Sequence, residues 1–223
     1  MPRNRSVARR NLLLRRGIAA AVGVVLLVAM ILNTNFLTAA QVEELGPETF
    51  DPVATADELW QQAGDLSFSP VGEVLTAVQE DPQAAAEEFG AQEPSEGSYV
   101  FAVEFSGTVT EADGDTLRLE VDGAPERTPL LLPVGTAVNG TVLRDALGFR
   151  FADAPGQTEF QYVGDELKRK MLEQVEAQLP DPASAAGKQI TGTGVIAVAL
   201  TGDSAPPEAK PVNIQPVEIE VSE

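Results

Sequence analysis

Arg144 and Asp145 sit side by side in the run 134–151, Val-Gly-Thr-Ala-Val-Asn-Gly-Thr-Val-Leu-Arg-Asp-Ala-Leu-Gly-Phe-Arg-Phe. Gln157 and Tyr162 follow shortly after. These four residues are the candidates for a polar binding site, offering a guanidinium, a carboxylate, an amide and a phenol. The chemistry they offer is recognition rather than bond making. The chain has no histidine and no cysteine, so the commonest general base, the thiol nucleophile and the commonest transition-metal ligands are absent. No cofactor and no metal are expected. Carboxylate, hydroxyl, lysine and tyrosine chemistry remain. Acids are plentiful, but no pair has the spacing that a two-carboxylate site demands.

A short helix capped by Thr141 and ended by Gly148 is expected to carry the first pair. Adjacent residues point to different sides of a helix. On that reading Arg144 pairs with a more distant acid, Asp153 or Glu159, and Asp145 holds a loop. The structural account of both residues stands beside the binding account.

Charge is unevenly placed. Residues 1–16 hold six arginines and no acid, leaving nine basic residues against 34 acidic ones, a charge of −25, in the remainder. So acidic a surface repels phosphate backbones, and nucleic acid is not an expected partner. The run 17–32 is uncharged and apolar. Extended to Leu37 it would reach about 31 Å as a helix, enough to cross a bilayer. The arginines before it should stay in the cytoplasm, which puts the C-terminal part outside. A cleaved signal peptide is the competing reading, with Thr38 and Ala40 placed like a cleavage site.

The expected organisation is a basic cytoplasmic tail over 1–16, a transmembrane signal-anchor over 17–37, a helical acidic segment over 38–97 and a β-barrel domain over 98–223. In the helical segment, Asp51-Pro52 and Asp81-Pro82 read as helix starts. Leu59 with Trp60, and Val71, Val74, Leu75 and Val78, form apolar stripes. Trp60 is expected to pack on the barrel.

Tyr99, Phe101, Val103 and Phe105 alternate, and the strand signal continues past Gly107 to Thr110. A long strand with a central glycine can bend and serve two sets of partners. Asp113-Gly114 and Asp122-Gly123 read as turns. They bound a second strand at 117–121, and a third follows at 130–132. Val163, Leu167, Met171, Val175 and Leu179 recur every four residues and predict an amphipathic helix. Strands over 190–200 and 212–221 complete the chain, the last with a change of phase at Pro216. The fold class is mainly β with α. Three strands, a helix and two strands is the order of the oligonucleotide/oligosaccharide-binding (OB) barrel, in which a helix plugs one end of five strands.

The run Leu143-Arg144-Asp145-Ala146-Leu147-Gly148-Phe149, together with Leu59-Trp60 and the segment from Asp81 to Phe89-Gly90, resembles an uncharacterised bacterial family of predicted periplasmic lipoproteins, domain of unknown function 2291. The resemblance covers roughly residues 50–221. It implies a variant OB fold and a partner in a sugar-type ABC uptake system, and it carries no established activity. The sequence departs from the family pattern in two places. No cysteine is present for a lipid, and Gly156-Gln157 stands where an Asn-Gln pair is expected.

The function these observations favour is a membrane-anchored extracytoplasmic accessory protein, not an enzyme, that contacts another envelope protein. A small-molecule module gripping a sugar or glycan on the barrel face is the alternative. A carboxylate-based hydrolase is a third reading. Full-length protein is expected to fractionate with membranes with its N-terminus intact. Soluble mature protein beginning near Gln41 would overturn the anchor.

Overall fold

The computed structural model describes residues 50–125, 128–199 and 210–222. The expected tail, the anchor and the first residues of the helical segment lie outside the described residues. Among the described residues no helix is long and apolar enough to cross a membrane.

The described residues open with three helices, α1 (Pro52–Ala63), α2 (Val71–Glu80) and α3 (Pro82–Glu88). Asp51 caps α1 by accepting from the amides of Val53 and Ala54, and Asp81 caps α3 in the same way through Gln83 and Ala84. Each aspartate stands one residue before a proline that has no amide to satisfy.

Eight strands make one curled, mixed sheet: β1 (Ser69–Pro70), β2 (Gln92–Ser95), β3 (Ser98–Asp113), β4 (Thr116–Val121), β5 (Leu130–Pro133), β6 (Gln189–Ala199), β7 (Val212–Asn213) and β8 (Gln215–Ser222). Their order is β7-β5-β4-β3-β6-β8, with β1 and β2 paired to β3 off that path. β3 has two successive partners on this path. It pairs with β6 from Ser98 to Thr108 and with β4 from Gly107 to Asp113. Gly107 sits at the handover, where a Cβ would lie 2.7 Å from the Glu120 carbonyl oxygen. The C-terminal segment is also shared. Val212–Asn213 runs parallel to β5, and Gln215–Ser222 runs antiparallel to β6. Through that segment the sheet curls back on itself. Opposite Pro216 the register slips by one residue, which accounts for the change of phase in the sequence.

The five expected strands correspond to β3, β4, β5, β6 and the β7–β8 segment. β1 and β2 are additional. They have two and four residues, too few to leave a periodic signal.

Two hydrophobic cores lie on opposite sides of the sheet. The first is enclosed by the curl and holds Phe101, Val103, Leu117, Leu132, Ile190, Ile214 and Ile219. The second lies outside it. There Val100, Val195 and Val217 meet α1, α4 (Gly140–Ala146) and α5 (Gln157–Gln178).

This arrangement corrects the expected plug. α5 begins at Gln157, six residues before the periodic stripe, and its 22 residues extend about 33 Å and span both cores. Only Val175, with Leu179 just beyond the helix, joins the first core, while Val163, Leu167 and Met171 belong to the second. The mouth is filled instead by α2, whose Val71, Val74, Leu75 and Val78 are all in the first core. Packing runs across the expected boundary at 97/98. Helices and sheet share both cores, and residues 50–223 form one compact unit. Trp60 packs against the second core, on the outer side of the sheet.

The β3–β4 hairpin is tied to the segment after β5 by Asp115, which accepts from the Thr136 amide and hydroxyl. Those bonds, the hydroxyl first, hold the Asp115 carboxyl below its ordinary value.

Met171 and Val74 are both fully buried, one in each core. Met171→Asp and Val74→Asp are each expected to cost about 3–5 kcal/mol of unfolding free energy, since each buries an unpaired charge. Urea titration measures this. A Val74→Asp protein as stable as the wild type would show that the helical segment is separable after all.

Candidate functional site

The site is built where α4 ends against the start of α5. Asn139 caps α4 by accepting from the amide and hydroxyl of Thr141. The cap is thus Asn139, and Thr141 is its donor rather than the cap expected from sequence. The Asn139 amide donates to the buried Gln215 side chain at 2.7 Å, which fixes the start of α4 to β8.

Gly140 then meets α5 backbone to backbone. A Cβ on Gly140 would collide with the Gly164 carbonyl oxygen and the Lys168 amide nitrogen. Gly164 faces Thr141 in return, where its own Cβ would lie 3.0 Å from the Thr141 methyl. Two glycines let the helices approach this closely. The approach brings the Arg144 side chain beneath the first turn of α5. Gly148, at φ +73°, ends the turn after α4 and donates its amide to the Asp145 carbonyl at 3.1 Å.

Arg144 is 7% exposed. Its Nε and one terminal nitrogen donate to Asp145 Oδ1 at 3.0 and 2.7 Å. The other terminal nitrogen donates to the Phe160 carbonyl at 3.2 Å. The guanidinium carbon lies 3.6 Å from the centroid of the Phe160 ring. This corrects the expected partner. Asp145 is next in sequence, and the long arginine stem folds back onto it once Phe160 covers its other side. Asp153, one of the two acids expected for Arg144, accepts from the Arg150 amide at 2.7 Å and closes a short helical turn. Glu159, the other, makes no ion pair with Arg144.

Four phenylalanines surround the pair. Phe149 stacks on Phe160 at 6.0 Å, Phe50 is tilted against Phe149 at 6.4 Å, and Phe151 meets Phe160 edge-on at 5.7 Å. Phe151 is nonetheless 58% exposed. Between this cluster and β2 lies a cavity of about 580 Å³. Gln92, Pro94 and Ser95 form one wall, and Phe149, Arg150, Phe151 and Phe160 form the other, with Arg144 and Asp145 behind. A mostly apolar concavity of this size with a few convergent polar groups has the character of a binding site.

The structure therefore brings Arg144 and Asp145 together in one pocket. It does not bring in the other two candidates. Gln157 is exposed at the first residue of α5, Tyr162 is 54% exposed, and neither lines the pocket. Sequence reasoning missed Phe149, Arg150, Phe151 and Phe160. Their signal was the Phe-Arg-Phe run with a further aromatic nine residues on, which reads on its own as an apolar stretch.

A second, larger concavity of about 800 Å³ lies against the sheet. Glu104, Glu120, Asp122, Glu218 and Glu220 line it, with hydroxyls from Ser106, Thr108, Thr191 and Thr193. Its sole ring, Phe105, is buried. Among the described residues no group of three or more carboxylates is placed to hold a metal ion. The acidic groove thus lacks the exposed ring that a sugar-gripping barrel face would use.

The sequence profile of a family described as predicted periplasmic lipoprotein, domain of unknown function 2291, matches residues 20–220. The structure is similar to the crystal structure of an OB-fold protein from Thermotoga maritima, with a TM-score of 0.61 at 22% identity, over 78% of this chain and 100% of that one. At that identity the likeness shows the fold alone. No curated protein matches this chain.

Removing the Arg144 side chain leaves Asp145 without its ion pair and uncovers the Phe160 ring. Arg144→Ala is expected to lower stability by about 2 kcal/mol. Asp145→Asn keeps an acceptor oxygen at the same place and is expected to cost less, about 1 kcal/mol. Thermal and urea denaturation check both, and equal costs would mean that the charge of Asp145 is what matters.

Proposed function

The chain belongs to the family of predicted periplasmic lipoproteins, domain of unknown function 2291, and from that premise we propose that it is a non-enzymatic extracytoplasmic accessory module that recognises another envelope component through its aromatic pocket. The observation that carries this reading is the pocket itself. A ring that is 58% exposed, Phe151, stands at the edge of a concavity backed by a buried arginine–carboxylate pair. A large apolar ring left in water beside an apolar hollow is the usual mark of a surface that meets something else.

The absence of histidine and cysteine, and a pocket lined by one carboxylate rather than two, support a binding role over catalysis. Membrane association fits the family description. A lipid on a cysteine thiol has no attachment point among these 223 residues, so we assign the anchoring to the apolar run 17–37. A protein of a sugar-type uptake system is the partner the family resemblance suggests.

Small-molecule binding is the second reading. The cavity volume of about 580 Å³ favours it. It then belongs to the aromatic pocket rather than to the sheet face, where the hydroxyls and carboxylates have no exposed ring beside them.

A photoreactive residue at position 151, irradiated in intact cells, tests the interaction. The expected result is one discrete adduct with an envelope protein, absent when the photoreactive residue stands at the exposed position 110. Identical products from both positions, or none from either, would overturn the reading.

A further inference from the structure

We propose that the pocket between β2 and the α4–α5 junction binds an organic acid, a compact apolar or aromatic body carrying one carboxylate. This rests on the second reading, in which the pocket takes a small molecule, and specifies the class of that molecule.

The charge of the lining is the first argument. It holds two cations, Arg144 and Arg150, and one anion, Asp145. The rest of the chain beyond residue 37 carries seven basic residues against 33 acidic ones. The acidic groove on the sheet, for comparison, has five carboxylates and no cation in its lining. A cationic hollow in so acidic a protein selects against cations and admits an anion. Asp153 lies close by, but its carboxylate is turned onto the Arg150 backbone amide at 2.7 Å and does not line the hollow, and carboxylates farther off than about 8 Å are largely screened at physiological ionic strength.

The donors are the second argument. Arg150 is exposed, and its guanidinium makes no ion pair with any described residue. Arg144 has five N–H groups. Two are given to Asp145 and one to the Phe160 carbonyl, so two remain. A planar carboxylate matches a guanidinium fork in a way that a single hydroxyl does not.

The rings are the third. Phe160 already has the Arg144 guanidinium over its face and Phe149 stacked on it. A sugar grips by ring faces, and here a face of Phe160 is taken. Phe151, 58% exposed, meets Phe160 edge to face at the mouth and offers the apolar body of the ligand a surface to pack on. Gln92, Ser95 and Ser98 supply amide and hydroxyl groups opposite.

Calorimetry on the full-length chain in lipid nanodiscs, with empty nanodiscs subtracted, tests this with three probes: 3-phenylpropionate, its neutral analogue 3-phenylpropan-1-ol, and glucose. The acid is expected to bind at least tenfold more tightly than the alcohol, and less tightly as salt is raised. Arg150→Gln should weaken the acid at least tenfold and leave the alcohol unchanged. Phe151→Ala should weaken both. Equal binding of acid and alcohol, tighter binding of glucose, an acid affinity indifferent to Arg150→Gln, or no heat with any probe would overturn the proposal. The photoadduct from position 151 separates the two readings. If it persists while the acid fails, the ligand class falls and the recognition site stands. If the acid binds and no adduct forms, the ligand class stands and the protein partner falls.

Discussion

Every element near the pocket depends on the close approach of α4 to α5. Gly140 has no room for a Cβ against the Gly164 carbonyl and the Lys168 amide. Any side chain there would push the helices apart, and a well-packed helix pair cannot absorb that without loss elsewhere. The contact is what puts Arg144 under Phe160. From it follow the cation–π contact, the bond to the Phe160 carbonyl and the burial of the arginine side of the ion pair. Asn139 strengthens the arrangement from the other side through its bond to Gln215. α4 has seven residues and would not hold its shape alone, so its geometry is borrowed from β8 and α5.

The sheet imposes the second constraint. β3 gives its first two-thirds to β6 and its last third to β4, so the strand must turn through the curl. The curl divides the apolar side chains between an inner and an outer core. The outer core needs cover, and α1, α4 and α5 provide it. The pocket is a consequence of that cover. It opens at the edge of the outer layer, between β2 and the Phe-Arg-Phe run. The acidic face of the sheet, by contrast, carries carboxylates that repel one another and gain from staying solvated.

The buried pair and the exposed ring serve different ends. Arg144 and Asp145 are held by bonds to each other and to the Phe160 backbone, which makes them a rigid floor. Arg150 and Phe151 are exposed at the mouth. A rigid polar floor beneath an apolar, partly solvated rim is the arrangement on which the proposed recognition role rests.

The sequence by itself determined the five principal strand segments and the starts of α1 and α3, because those signals are local. Alternation from Tyr99 to Phe105 places side chains on one face whatever the strand pairs with, and an aspartate before a proline caps a helix from within three residues. It determined the order of the main elements, and with it the OB-like fold, while the run Leu143–Phe149 carried the resemblance to the family. It determined Arg144 and Asp145 as the polar centre of the most motif-like run. It did not determine their pairing, because helix spacing separates adjacent residues and only the ring of Phe160, sixteen residues on, bends the arginine back. It did not determine which helix fills the mouth of the curled sheet. The stripes on α2 and α5 are both apolar, and a stripe records that a face is buried without recording against what. The tertiary structure decided both, through contacts between residues far apart in the chain.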